Sequence, residues 1–536
     1  MPQATGSATL LSLQLLPQFR AMETLIRCHS ADDTGPGWVK GSVIGGMTLG
    51  WGERHVICSG GGMRVGFSWR VVAVAAAVGV WGLLASARAE GTLFRGATLF
   101  TLVDGETVAQ NEGFLLVSEE GTIEAVGAGD PSANPVVKGR LAAGTVIVDL
   151  KGKIVMPGFV SGHSHLWQSV FRGIAPDGEL HPWLRALHWR YGGFLEDGDF
   201  GAFTRHGAYD QLRHGVTTTY NHSHWLGKSY TRYLEQWQAE LTLPQRFVFA
   251  WVNEAGVTDA VWEERLRTVL AELKPGPKSP FLGLSMNPRG AHMGGDMLTR
   301  EISLARKLGL TVQLHYLEPL AESAQDRAQW PRLKDAGVLG RDVSFAHFIH
   351  PDAPMLAEVA KAGNAMIWNP LSNGRLGSGL PDIRGYLAAG MRVGMGVDGQ
   401  ASADISDPFE NVRLGLYALR LRQQNAGGLQ PLDMLRLHTL RTAEVLGVER
   451  WVGSLAPGKF ADFLVIDPQQ PATGPVWDAA ATLVFACSSR NVAAVYIGGR
   501  KVVAEGKIEG EDTGLSADVE RRVERIQKRA AAAPKP

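Results

Sequence analysis

Ile154-Val155-Met156-Pro157-Gly158-Phe159-Val160-Ser161-Gly162-His163-Ser164-His165 is an apolar run that ends in two histidines two residues apart. In an extended strand, alternate residues project to the same side, so His163 and His165 present two imidazoles toward one point. That is half of a metal site. A lone His-x-His arises often by accident, so its weight depends on what stands at the ends of the later apolar runs.

Those runs cover 154–160, 216–221, 247–252, 282–286, 311–315, 343–347, 365–368 and 392–397. Helix-like stretches such as 297–308 and 354–362 separate them, and Gly309, Gly363 and Gly390 stand where helices stop. Eight such units predict an α/β fold, a closed (β/α)8 TIM barrel. An open doubly wound sheet is the alternative, but no Gly-x-Gly-x-x-Gly turn follows the first strand.

Reactive groups in such a barrel lie at the C-terminal strand ends. There the chain places His315, with Glu318 three residues on, then His347, then Asp398 within Gly396-Val397-Asp398-Gly399. Three imidazoles and a carboxylate suit one divalent ion, Zn²⁺ or Fe²⁺, that keeps an open position for water. His163, His165, His315 and Asp398 are the expected ligands. Trp167, Trp225, Tyr316 and Trp368 fall at or just past strand ends and predict flat walls for a planar ring; for any single one, loop packing is an equal alternative. Gln168 and Asn373 are candidates to read the hydrogen-bonding edge of that ring. A second His-x-His, His222 and His224, closes the second run, and there His222 is a candidate substrate contact.

The flanks have another texture. Short β-rich runs at 93–99, 113–117 and 145–148 match those at 462–466 and 492–503, the last with a Gly498-Gly499 turn. They predict a small β-sandwich domain formed from both chain ends. The expected layout is a non-native or disordered extension at 1–62, a signal peptide at 63–89, sandwich at 90–156 and 449–510, barrel at 157–448, and a charged, solvated helix and tail at 511–536. The leader reading rests on the basic start Met63-Arg64, an apolar segment over 71–85 and the small-x-small signal Ala87-Arg88-Ala89. It predicts a periplasmic or secreted protein beginning at Glu90. Only Cys487 survives that cut, which leaves no intramolecular disulfide. The apolar segment falls short of a stable membrane span. Balanced charge, 53 basic against 53 acidic residues, gives no case for nucleic acid as a partner. The subunit count, a homo-oligomer included, stays open. Gly453-Ser454-Leu455-Ala456-Pro457-Gly458-Lys459 mimics a phosphate loop but continues with Phe460 where Ser or Thr is needed, so a turn is expected there.

Pro157 to His165, His315-x-x-Glu318, Asn369-Pro370-Leu371-Ser372-Asn373, Leu376-Gly377-Ser378-Gly379, Gly396 to Gly399 and Gly453 to Asp462 together resemble the amidohydrolase superfamily. The likeness is to its mononuclear branch of guanine, 8-oxoguanine and adenosylhomocysteine deaminases and triazine hydrolases, over about residues 92–510. It implies that a metal-activated water attacks an aminated heterocycle, with His347 and Asp398 holding the water and Glu318 shuttling a proton to a ring nitrogen. A two-metal relative would need a lysine on the fourth strand, and Leu282 to Asn287 carries none. The chain departs from adenosylhomocysteine deaminases at Ser285-Met286-Asn287-Pro288-Arg289-Gly290, where their His-Ala-Pro is missing. The expected function is a metal-dependent hydrolase of non-peptide carbon–nitrogen bonds, an aminohydrolase of a purine, pyrimidine or triazine. The alternatives are a dehalogenating or cyclic-amide hydrolase, or a non-catalytic heterocycle-binding protein.

Overall fold

The apolar run at 154–160 is two strands rather than one. A computed structural model describes residues 91–105, 110–224, 230–293 and 295–534, and in it Gly158 separates β5 (Ile154–Pro157) from β6 (Phe159–Ser164). A side chain there would put its Cβ 2.1 Å from Thr217 Oγ1, so only glycine lets the backbone pass. Every residue of both strands is buried, so neither periodicity nor polarity marks the break. The expected leader at 63–89, the extension before it and Trp225 lie outside the described residues.

Upstream of β5 come β1 (Thr92–Leu99), β2 (Gln110–Val117), β3 (Ile123–Ala128) and β4 (Val146–Asp149). After β6 the barrel continues with β7 (Val216–Asn221), β8 (Arg246–Trp251), β9 (Phe281–Met286), β10 (Thr311–Tyr316), β11 (Val343–His347), β12 (Ala365–Trp368) and β13 (Arg392–Met395). The chain then returns with β14 (Phe463–Ile466), β15 (Val492–Ile497), β16 (Arg500–Ala504) and β17 (Lys507–Ile508).

The terminal strands make one mixed sheet in the order β17-β16-β15-β14-β5-β1-β2-β3, with β4 beside β1. β1 and β15 are three strand positions apart, about 14 Å in a flat sheet. Yet the rings of Phe94 and Tyr496 lie 5.1 Å apart, and Phe463 touches both. The sheet therefore curls over its own core, as a sandwich does. The Gly498-Gly499 turn has φ of 55° and 71°, the left-handed pair that a two-residue hairpin requires. The loop from Gly453 to Lys459 is consumed internally: Leu455 N–H bonds Thr101 O, Gly458 N–H bonds Ile123 O, and Lys459 Nζ donates to Ser454 Oγ.

The eight barrel strands run parallel in sequence order from β6 to β13. Closure is at the mouth, where Ser164 bridges Asp398 and Asp398 N–H donates to His163 O. Lower down, the helical turns Leu437–Arg441 and Thr442–Leu446 occupy the seam. Thr442 Oγ1 accepts from Met395 N–H, and His438 Nδ1 bonds Val160 O, so these edge groups of both strands are satisfied. His438 also has Asn411 on its other nitrogen and is a structural core histidine.

Arg246, at the start of β8, fastens barrel to sheet. It is 1% exposed and makes two parallel bonds to Asp462, of 2.5 and 2.9 Å, while its other N–H groups reach carbonyls of Gly276, Pro277 and Ser279. Removing one partner of a buried pair strands the other charge, at about 3–5 kcal/mol. Arg246→Met should therefore lower the thermal midpoint by several degrees, and adding Asp462→Leu should recover part of the loss. Equal melting of wild type and Arg246→Met would show the pair to be dispensable.

The charged terminal helix is not simply solvated. Leu515–Ala532 buries Leu515, Val519, Ile526 and Ala530. Its Arg522 and Arg525 both pair with Asp199, a fully buried carboxylate at the start of helix Asp199–Arg213. Its charge pattern hides an apolar stripe of one residue in about four. Among the described residues, no helix is long and apolar enough to cross a membrane.

Candidate active site

Strand alternation puts His163 on the inner face of β6 and His165 just past its end, and Gln313 and His315 on the inner face of β10. Hydrogen bonds then decide which ring nitrogen each histidine offers. Gln313 Nε2 donates to Gly162 O over 3.0 Å, which turns Oε1 toward His163 Nδ1 at 2.7 Å. His165 Nδ1 donates to His222 O over 2.6 Å. Both rings therefore carry their proton on Nδ1 and present the Nε2 lone pair, and His163 Nε2 is buried without a partner.

Those Nε2 atoms converge. His165 Nε2 lies 3.3 Å from His315 Nε2 and 3.4 Å from Asp398 Oδ1, and His163 Nε2 lies 3.7 Å from that same oxygen. His163, His165 and His315 form one group of donors within 4.8 Å, and His163, His347 and Asp398 form a second. Sharing His163 makes them a single centre. Metal bonds of about 2.0–2.1 Å in tetrahedral array put donor atoms about 3.3–3.4 Å apart, so the cradle fits one small divalent ion. Burial, the main cause, pushes His163 and His165 down to about 4 and His315 well below its usual range, so the imidazoles are neutral and ready to ligate. Burial alone would raise Asp398, but below about pH 4, where His163, His165 and His347 take up protons, their charge outweighs it and holds the carboxyl down at about 2.

His347 has the opposite tautomer. Asn373 Nδ2 donates to its Nδ1 over 2.9 Å, with Asn369 Nδ2 at 3.4 Å, so the proton sits on Nε2. That N–H faces the gap between Glu318 Oε2 at 3.7 Å and Asp398 Oδ2 at 3.9 Å. Glu318 is 6% exposed. Burial first, then the Asp398 charge, raises it to about 8, while Ser378 Oγ at 3.4 Å favours the ionised form. The strand ends that carry these groups are strained: Leu317, His347, Phe348 and Asp398 have φ between 44° and 72°.

The other expected contacts are placed differently from one another. His222 lies within the cluster, its ring 4.4 Å from His315. Gln168 is fully buried with both amide atoms unpartnered, and it packs where a side chain on Gly399 would sit. Asn373 is a prop for His347, with Oδ1 left unpartnered. Trp167 and Trp368 are 0% exposed and expose no face for stacking; Trp368 lies against Gly415 of helix Pro408–Gln423. Tyr316 points out of the barrel and stacks on Trp330. Gln313 and Asn369 were absent from the expected site, although Gln313 shares a strand face with His315.

A parallel barrel holding a buried histidine and aspartate centre at its C-terminal mouth defines a metal-dependent hydrolase. The model of the Amidohydrolase family matches residues 154–502, and the chain belongs to that family. The 5-methylthioadenosine/S-adenosylhomocysteine deaminase of Bacillus cereus is 27% identical over 427 residues, 78% of this chain and 94% of that protein. Among solved structures, an adenosine deaminase from Xanthomonas campestris with bound zinc is 22% identical with a TM-score of 0.71, covering 82% of this chain and 98% of its own. The atrazine chlorohydrolase of Arthrobacter aurescens, complexed with zinc, is 23% identical with a TM-score of 0.69, covering 81% and 100%. These structural likenesses bear on the fold.

Proposed function

We propose that this chain is an aminohydrolase of an aminated heterocycle, with zinc as its ion. The observation that carries this reading is Glu318, a carboxyl raised to about 8 and held beside the donor cluster. His163, His165, His315 and Asp398 would hold the ion, which would supply a water acidified enough to react near neutrality. His347 Nε2–H, which faces the gap between Glu318 and Asp398, would orient that water, and ionised Asp398 would take its proton. Protonated Glu318 gives its proton to the ring nitrogen as the new C–O bond forms. The proton taken by Asp398 would then pass to the amino group, the C–N bond would break and ammonia leave, and the remaining hydroxyl proton would return to Glu318 as the C=O bond forms. The substrates in the relatives' names are not carried over, because Ser285 to Gly290 lacks the His-Ala-Pro of adenosylhomocysteine deaminases.

A panel of purines, pyrimidines, pterins and triazines, assayed for ammonia against zinc-loaded protein, should give turnover on at least one aminated ring. Release of chloride or opening of a lactam without ammonia would move the reading to the dehalogenating or cyclic-amide alternative. Stoichiometric binding without turnover would leave a capture protein. We also propose export, on the sequence features of 63–89. Terminal sequencing of protein recovered outside the cytoplasm should begin at Glu90, and a mature chain that starts upstream of Met63 refutes it.

A further inference from the structure

Two imidazoles beside the centre have no part in this scheme. His224 lies flat on His165, ring centroids 4.3 Å apart and planes 16° apart. His188, from the helical turn Arg185–Tyr191 over the mouth, stands edge-on to His224 at 5.0 Å and 82°. Trp167 Nε1–H donates to His224 Nδ1 over 3.2 Å. An indole can only donate, so Nδ1 accepts and the single ring proton is on Nε2. His224 is thus a neutral ring with a fixed donor at Nε2. Both rings are partly exposed, unlike the sealed His163. His224 also lies nearly parallel to His315 with centroids 6.3 Å apart, about the width of one heterocycle from the donor cluster. Among the described residues, the hydrogen-bond and ion-pair partners of the clustered histidines, Glu318 and Asp398 include no lysine or arginine.

We infer that His224 and His188 read the edge of the substrate ring remote from the reacting carbon, and that they select a heterocycle bearing an exocyclic oxygen there. The inference rests on the aminohydrolase reading. A fixed N–H favours an acceptor and disfavours a second amino group, which would set donor against donor, and no lysine or arginine among those partners is placed to pair with an anionic group. A ring nitrogen offers one lone pair in the ring plane, whereas an exocyclic oxygen projects further and offers two. An exocyclic oxygen can accept from His224 Nε2–H and from an N–H of His188 at once.

Isocytosine and 2-aminopyrimidine, which differ by that oxygen, test this by calorimetry on zinc-loaded protein. Wild type should bind isocytosine at least tenfold tighter. His224→Phe keeps a flat ring on His165 but removes the donor, and should cut this preference about tenfold with zinc content unchanged. If His224→Phe loses zinc through His165, Trp167→Phe and His188→Phe carry the test, each lowering the same ratio several-fold. A wild type without the preference, or a ratio unmoved in every zinc-replete variant, overturns the inference. A preference that obeys these changes in a protein releasing no ammonia from any aminated ring leaves the inference standing and removes the aminohydrolase reading.

Discussion

Glu318→Gln should lower kcat by about 10²–10⁴-fold, the usual worth of a positioned general acid, while zinc content and fold stay those of wild type. The amide keeps the shape and the Ser378 contact but cannot deliver a proton. Wild-type activity should also fall as pH rises through about 8, where the carboxyl ionises, and that limb should be missing from the residual rate of the variant. The same group makes a separate statement about stability. Its folded-state pKa lies above the ordinary 4.5, so between 4.5 and about 8 the native state of the metal-free protein holds a proton that the unfolded chain has lost. Stability from this group therefore declines as pH rises through that window. Glu318→Gln removes the decline, so the metal-free variant should melt higher than wild type at pH 8 and match it near pH 4.5. Zinc loss together with activity would instead make Glu318 a structural support for the centre.

What the sequence revealed, and what it concealed, follows from the kind of signal each residue sends. His163, His165, His315 and Asp398 were legible because strand ends in a parallel barrel converge, so four positions far apart in the chain had one meeting place. The break at Gly158 was not legible, because β5 and β6 are both buried on all sides and pattern disappears when both faces are apolar. Trp368 was placed correctly at the end of its strand and Trp167 just past one, yet nothing local tells a tryptophan that lines a cavity from one that fills it. The supporting layer was hidden for another reason. Gln313 and Asn373 act through a second residue, and that relation exists only once β10 lies beside β6 or helix Pro370–Arg375 beside β11. The terminal helix shows the same limit, since its partner Asp199 lies more than three hundred residues upstream.

His163→Ala should abolish both zinc binding and turnover, the other large loss expected here. His163 is the one donor common to both groups of the centre, it is fully buried, and its Nε2 has no other partner to satisfy it. Alanine would leave His165, His315 and Asp398 around a void, and elemental analysis after dialysis should find under one-tenth of an equivalent of zinc. Gln313→Leu gives the graded counterpart. It deletes the acceptor that fixes the His163 tautomer but leaves every expected ligand in place, so zinc affinity should fall about 10–100-fold and activity should return when zinc is added in excess. A His163→Ala protein that still holds a full equivalent of zinc would mean that the ion sits elsewhere. Failure of excess zinc to rescue Gln313→Leu would place the glutamine among the groups that meet substrate, since a residue acting only through His163 is made dispensable by saturating the ion.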